Sequence, residues 1–236
     1  MTDTFEQFIA NFRWMSWNLF LAMIPCILSF CLFGNMFVHE FSKNQRIINK
    51  SSPRRGGIIA SSRYLTKNPL WWFGLAIFIL FLPNAPYIVT DIIHFVNDVR
   101  SPFVSDRGII FLLIPQYTVF ILLGFQCYVI SVMQLTQYFS RHPLFGNTFI
   151  LENIIHLLCA IGVYWGRFNR LNSWDVFTNP AFVFREALQN LATPNFFWGT
   201  GLFLLTFIAL YYVTKLINQA IASYLMSKPD AERSTF

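Results

Sequence analysis

Long apolar stretches separated by short polar ones are the main pattern of this chain. A helix needs about 20 predominantly apolar residues to cross the hydrocarbon core of a bilayer. Tryptophan and tyrosine flank most of the apolar stretches, as is typical of the membrane–water interface. We therefore predict five spanning helices, near residues 16–37, 70–89, 108–136, 149–165 and 198–222.

Two shorter segments have apolar residues on one helical face only, which is the pattern of a helix lying on the membrane surface. One precedes the first span, and the other begins at Pro180 and ends before Pro194. Residues 1–236 are therefore predicted to form a single, all-α, polytopic membrane domain with about five spans and interfacial amphipathic helices.

The composition excludes a water-soluble domain. Charged residues make up 12% of the chain, about half of the share that is usual in soluble domains. Aromatic residues reach 19%, more than a water-soluble core of this size can bury. The cysteines all lie inside apolar stretches without metal-site spacing, so we interpret them as packing residues.

The segment 38–69 carries a strong excess of basic residues. Lysine and arginine in short loops favour the cytoplasmic side of a membrane. This predicts an N-terminus outside, a C-terminus in the cytoplasm, and contact of the basic loop with anionic lipids rather than with nucleic acid. Residues 90–107 and 166–197 then both lie on the outer face. The basic residues are Lys43, Arg46, Lys50, Arg54, Arg55, Arg63 and Lys67.

The segment FLPNAPYIVTDIIHF, residues 81–95, interrupts an apolar run with two prolines. We predict a break there, with the amide of Asn84 satisfying freed backbone groups and Thr90 capping a new helix. Asp91, His94 and Asp98 then share one helical stripe that faces water or a central cavity. Asp91 and His94 suit proton transfer or metal binding, and they equally suit a solvated helix face.

A second polar segment, GRFNRLNSWDVFTNP, spans residues 166–180 just after the fourth predicted span. Its guanidinium groups suit recognition of a phosphate or carboxylate, while arginine beside tryptophan also anchors helix ends at an interface. We predict a site for an anion or a protein partner formed by Asn84 together with Arg167, Arg170, Asn172, Trp174 and Asp175.

Glu152 and His156 lie four residues apart within the fourth span, facing the same way. Ionisable residues at that depth are candidates for function, here a proton path. Two plainer interpretations are that Glu152 reaches water at the cytoplasmic end and that His156 bonds Gln116 or Gln126. The sequence contains no phosphate-binding glycine loop and no zinc-protease motif, so it identifies no cofactor and predicts no metal site.

The two polar segments resemble those of a bacterial, often cyanobacterial, family of multi-pass membrane proteins catalogued as a domain of unknown function (family 1361). The resemblance runs from about residue 16 to 222 and implies the bacterial cell membrane, or the thylakoid membrane in a cyanobacterium. It implies no reaction. It points to Pro83, Asn84, Pro86, Tyr87, Thr90, Asp91, His94, Gly166, Arg167, Arg170, Asn172, Ser173, Trp174 and Asp175.

Two classes of function fit these residues. In the first, the protein is a non-enzymatic component that binds an anionic headgroup, an ion or a partner protein at an outer-face polar site. In the second, it is a membrane-embedded hydrolase or transferase acting on a lipid-linked substrate. His94 would then be the general base and Asp91 its orienting carboxylate, with the arginines stabilising developing negative charge.

Overall fold

The computed structural model describes residues 2–34, 68–140, 147–191 and 193–233, and every regular element within these ranges is helical. The predicted all-α fold class is therefore confirmed. The helices are α1 (Thr2–Phe33), α2 (Pro69–Phe81), α3 (Asn84–Tyr87), α4 (Ile92–Val99), α5 (Asp106–Gly108), α6 (Ile114–Phe139), α7 (Thr148–Phe168), α8 (Asp175–Thr178), α9 (Pro180–Leu191) and α10 (Pro194–Arg233).

Five helical stretches in the described ranges are long and apolar enough to cross a membrane, which makes this a membrane-embedded protein. The basic segment predicted over residues 38–69 lies almost wholly outside the described residues. The five stretches are Thr4–Phe33, Pro69–Val99, Asp106–Phe139, Thr148–Phe168 and Pro194–Leu225.

The first helix is longer than predicted. The surface helix and the first span are one continuous helix, α1. The side chains of Gln7 and Asn11 bond Asp98, near the end of α4. The helical stretch that is long and apolar enough to be the first span begins at Thr4, and the start of the membrane crossing near residue 16 stays a prediction.

The third span is irregular near its proline. A π-helical turn, Ile109–Leu113, joins α5 to α6 directly before Pro115. Proline has no N–H to donate, so the hydrogen-bond pattern around it has to change. Such a wide turn is one way for a helix to absorb that change.

The bundle consists of two packed groups of helices. α6 and α2 both pack against α1, while α7 packs against α10. Phe33, Phe78 and Tyr138 join the first group through ring contacts. We call the end of the bundle where α1 begins the N-terminal end. α2 runs toward it and α7 ends at it, so both polar segments meet there.

Candidate functional site

The second span changes its helix type where its two prolines lie. α2 ends at Phe81, and the chain continues through α3, a 3-10 turn over Ile88–Asp91, and α4. This confirms the predicted break. The amide of Asn84 donates to the Phe81 carbonyl oxygen at 2.9 Å, so this side chain satisfies a freed backbone group as predicted.

Glycines on α7 allow it to approach this break closely. A Cβ atom on Gly162 would lie 2.8 Å from Cγ of Pro83, and one on Gly166 would lie 3.4 Å from the ring of Tyr87. Small residues let helix backbones come together in this way. The close approach brings Arg167, the residue after Gly166, against the 3-10 turn.

Asp91 and Arg167 form a buried ion pair at the N-terminal end. Nη2 of Arg167 lies 2.9 Å from Oδ1 of Asp91, whose side chain is 1% exposed. The other carboxylate oxygen accepts a hydrogen bond from the amide of Asn18 at 3.1 Å. The pair thus connects α1, the 3-10 turn and α7.

The remaining nitrogens of Arg167 are also occupied. Nε donates to the Thr90 hydroxyl at 3.1 Å, and Nη1 donates to the Tyr87 hydroxyl at 3.3 Å. Thr90 donates its own hydrogen to the Tyr87 carbonyl oxygen, so the prediction that it caps α4 is wrong. The guanidinium group of Arg167 is therefore paired and hydrogen-bonded within the protein.

His94 lies beside this pair without joining it. Its Nε2 atom is 3.9 Å from Oδ1 of Asp91, and its side chain is 48% exposed. That separation exceeds a hydrogen bond. The imidazole packs instead on the indole of Trp14, with ring centroids 5.0 Å apart. Asp91 does not orient His94 in this geometry.

Asp98, on the polar stripe of α4, faces α1 rather than water or a cavity. Its carboxylate accepts hydrogen bonds from Gln7 at 3.0 Å, Asn11 at 2.6 Å and the Tyr117 hydroxyl at 2.9 Å. The matching polar stripe on α1 was not predicted. Its residues are spaced i, i+4, i+7 and i+11, which is one helical face. They are Gln7, Asn11, Trp14 and Asn18.

The second polar segment folds over the break through Ser173. The Ser173 hydroxyl accepts from the amide of Asn84 at 3.0 Å and donates to the Leu80 carbonyl oxygen at 3.1 Å. Asp175 closes the following turn by accepting from the backbone N–H of Asn172 at 2.6 Å. The two predicted segments therefore meet at Asn84.

The two predicted arginines point in different directions. Arg167 is turned into the bundle, whereas Arg170 is exposed and adopts a positive φ of 56°. The side chain of Arg170 makes no hydrogen bond or ion pair with the part of the chain that the structure describes. The two guanidinium groups do not form one anion clamp.

A cleft of about 700 Å³ begins beside Asn84 and follows α7. It extends from Gly166 to Leu151, which is about 22 Å at the helical rise per residue. Ile79, Ile154 and Leu158 on its rim are about half exposed, so the cleft opens sideways toward lipid.

Polar side chains of the cleft are gathered at the N-terminal end. The rest of the lining is apolar, and none of the lining residues within the described ranges is charged. The polar and aromatic residues at that end are Trp17, Asn18, Asn84, Tyr87, Trp165, Asn172, Ser173 and Trp174.

Glu152 lies in a second polar group, between α7 and α10. Its side chain is buried, so the interpretation that Glu152 reaches water at the cytoplasmic end is wrong. Oε1 accepts from Tyr211 and pairs with Lys215, while Oε2 accepts from Tyr212 at 3.0 Å. The cation that compensates the Glu152 carboxylate, Lys215, therefore lies in the last span.

His156 has a different partner from those predicted. Its Nδ1 atom lies 2.6 Å from the Tyr128 hydroxyl, and the ring is fully buried. Gln116 donates to a backbone carbonyl oxygen of α1, and Gln126 donates to Asn218. The predicted glutamine bonds are therefore wrong, although a polar partner on the third span is present.

In the described ranges, no three histidine, cysteine, aspartate or glutamate side chains come together as metal ligands. The cysteines there carry free thiols, and one of them, Cys31, is exposed rather than packed inside.

Comparison with known proteins places the chain in a family. The profile described as "Protein of unknown function (DUF1361)" matches residues 56–221. The match includes both polar segments but begins after α1, later than the resemblance over residues 16–222 suggested. No curated protein and no solved structure matches the chain. This membrane-embedded, all-α protein is therefore a member of the DUF1361 family.

Proposed function

We propose that this protein is a non-enzymatic membrane component that binds one lipid-like amphiphile in the cleft along α7. The polar part of the amphiphile lies at the N-terminal end, and its apolar part extends along α7. The observation that carries the proposal is the distribution of side chains around the cleft. Apolar residues line most of its length, and the polar ones are gathered at one end.

The polar end gives such a cleft its selectivity. A lipid tail gains little by leaving other lipid tails for apolar side chains, because the two environments are similarly apolar. Preference for one occupant therefore depends on hydrogen bonds to its headgroup. In this proposal Asn84, Asn172 and Trp174 contact the headgroup. Arg167 and Asp91 position the surrounding backbone, while Arg170 and Asp175 form the outer rim.

The alternative function, a hydrolase or transferase acting on a lipid-linked substrate, has weaker support. It requires His94 to act as a base held by Asp91. The 3.9 Å separation and the position of His94 against Trp14 favour a packing role instead. A protein partner at the same polar end stays a prediction of the sequence.

We further propose that the N-terminal end faces the outside of a bacterial cell membrane. The charge of segment 38–69 supports this orientation through the positive-inside rule, and it also supports contact with anionic lipids on the cytoplasmic side. The bacterial origin rests on the resemblance of the two polar segments to the family. Residues 1–236 act as one membrane domain in this proposal.

Filling the cleft tests the proposed function. Leu158 lines the cleft, whereas its neighbour Leu157 is similarly exposed on α7 but does not line it. Overpacking costs about 1–3 kcal/mol, so Leu158→Trp should lower lipid retention about tenfold. Native mass spectrometry of the protein purified in mild detergent measures the retained lipid.

Leu157→Trp is the matched control, since it adds the same side chain on the lipid-facing side. It should retain lipid like the unmodified protein. Equal retention by the two variants would overturn the proposed function.

A further inference from the structure

We infer that the occupant of the cleft is a lipid whose headgroup is uncharged and carries hydroxyl groups. This inference rests on the proposed function and names the ligand class for the same cleft. Its basis is the chemistry of the polar end: which charges are present there, and which hydrogen-bonding atoms still lack partners.

The described lining of the polar end offers hydrogen bonds without a charged side chain. None of the described residues that line the cleft is charged. Arg167, which follows the lining residue Gly166, pairs with Asp91 and donates to Thr90 and Tyr87 as well. Arg170 is exposed and is not among the lining residues. A phosphate headgroup binds through charge-assisted hydrogen bonds from free cations. The described lining offers no such cation to a phosphate.

Amide oxygens supply the acceptors at the polar end. Both described bonds of the Asn84 amide nitrogen are donated within the protein, to Phe81 and Ser173. The amide nitrogens of Asn18 and Asn172 likewise donate hydrogen bonds within the protein, to Asp91 and Asp175 respectively. No described residue donates to the side-chain oxygen of any of these three asparagines. These oxygens are therefore available to accept hydrogen bonds from a ligand in the cleft.

Two hydrogen-bond donors accompany these acceptors. The Tyr87 hydroxyl accepts from Arg167, so its own hydrogen is available. Trp174, which is 40% exposed on the lining, has an indole N–H that points to no described acceptor. A hydroxyl group both donates and accepts. It matches this mixed set, whereas an ionised phosphate only accepts.

The size of the cleft requires a lipid rather than a free sugar or alcohol. The whole cleft follows α7 for about 22 Å, from the helical rise between Leu151 and Gly166, and its lining beyond the polar end is apolar. A small polar molecule would leave that length without complementary contacts. The rim at Ile154 and Leu158 is also open sideways, so a lipid can enter from the bilayer.

A competition between two lipids with the same acyl chains tests the inference. The full chain is placed in nanodiscs containing equal amounts of monoglucosyl diacylglycerol and phosphatidylglycerol, and bound lipid is measured by native mass spectrometry. We expect the glucosyl lipid to be retained about tenfold more, which corresponds to roughly one or two additional hydrogen bonds. Equal retention, or preference for phosphatidylglycerol, would overturn the inference.

A charge introduced at the polar end provides a second test. Asn172→Lys adds a free cation to the lining and should shift the ratio toward phosphatidylglycerol. Asn97→Lys adds the same charge at an exposed position of α4 outside the cleft and should leave the ratio unchanged. An unchanged ratio in Asn172→Lys would contradict headgroup binding at this position.

The Leu158→Trp variant separates the two proposals. If it lowers retention of phosphatidylglycerol more than that of the glucosyl lipid, the cleft binds lipid and only the headgroup assignment fails. If it changes the retention of neither lipid relative to Leu157→Trp, the proposed function itself fails.

Discussion

At the scale of single residues, the central feature is a charge pair that the protein satisfies internally. Removing two charges from water is costly, and their attraction offsets that cost only when the remaining hydrogen-bonding capacity is also used. Here Asn18 occupies the second oxygen of Asp91, and Thr90 and Tyr87 occupy the other nitrogens of Arg167. The pair therefore serves to hold three helical segments in register.

Arg167→Gln should destabilise the protein strongly. It removes the cation that compensates Asp91, and breaking a buried pair by removing one partner costs about 3–5 kcal/mol. Thermal unfolding in detergent, followed by size-exclusion chromatography with fluorescence detection, measures the loss.

Adding Asp91→Asn to this variant should restore much of the stability, because no uncompensated charge then remains. Arg170→Gln is the control, since Arg170 is exposed, and its unfolding should match that of the unmodified protein. Similar losses in Arg167→Gln and Arg170→Gln would contradict the interpretation of Arg167 as half of a buried pair.

At the scale of elements, the break in the second span positions the site. The prolines remove backbone hydrogen-bond donors, and a 3-10 turn follows them. In this turn the side chain of Asp91 is buried in the bundle, whereas that of His94, three residues later, is half exposed. α7 reaches this turn because Gly162 lies against Pro83. The proline ring is rigid and cannot yield to a larger side chain.

Gly162→Ala should therefore destabilise the protein. The added Cβ atom would lie 2.8 Å from Cγ and 2.9 Å from Cβ of Pro83. Overpacking of this kind costs about 1–3 kcal/mol, which exceeds the roughly 1 kcal/mol that alanine gains over glycine in a helix. The same unfolding assay measures the effect.

Gly201→Ala is the matched control, because a Cβ atom there meets nothing within 4 Å. It should leave the unfolding temperature unchanged or raise it. A lower unfolding temperature in this variant than in Gly162→Ala would contradict the role given to the close approach.

At the scale of the whole molecule, polar groups collect in two places and leave an apolar cleft between them. Asp91, Arg167 and Asp98 lie at the N-terminal end, and Glu152 with Lys215 lies near the start of α7. The orientation of these two places in the membrane follows from the basic segment between the first two spans. That orientation stays a prediction of the sequence.

Cysteine labelling in intact cells tests the orientation. In a chain whose native cysteines are replaced by alanine, Asn97→Cys should react with a membrane-impermeant maleimide. Lys43→Cys should react only after the cells are permeabilised, since it lies in the basic loop predicted to be cytoplasmic. The opposite pattern would reverse the proposed orientation and place the polar end of the cleft inside.

The sequence by itself predicted the membrane location, the helical class, the break at Pro83 and Pro86, and the bond from Asn84 to the freed backbone. These follow from the length of apolar stretches and from the chemistry of single residues, so they need no knowledge of neighbouring helices.

Only the tertiary structure decided which polar groups meet. Asp91 pairs with Arg167 across 76 residues, Glu152 with Lys215, and His156 with Tyr128 rather than with a glutamine. Periodicity shows which residues share a helical face but not which helix that face contacts. For this reason the sequence placed Asp91, His94 and Asp98 in one stripe exposed to water or a cavity. Packing separated them, burying Asp91, turning Asp98 toward α1 and leaving His94 at the surface.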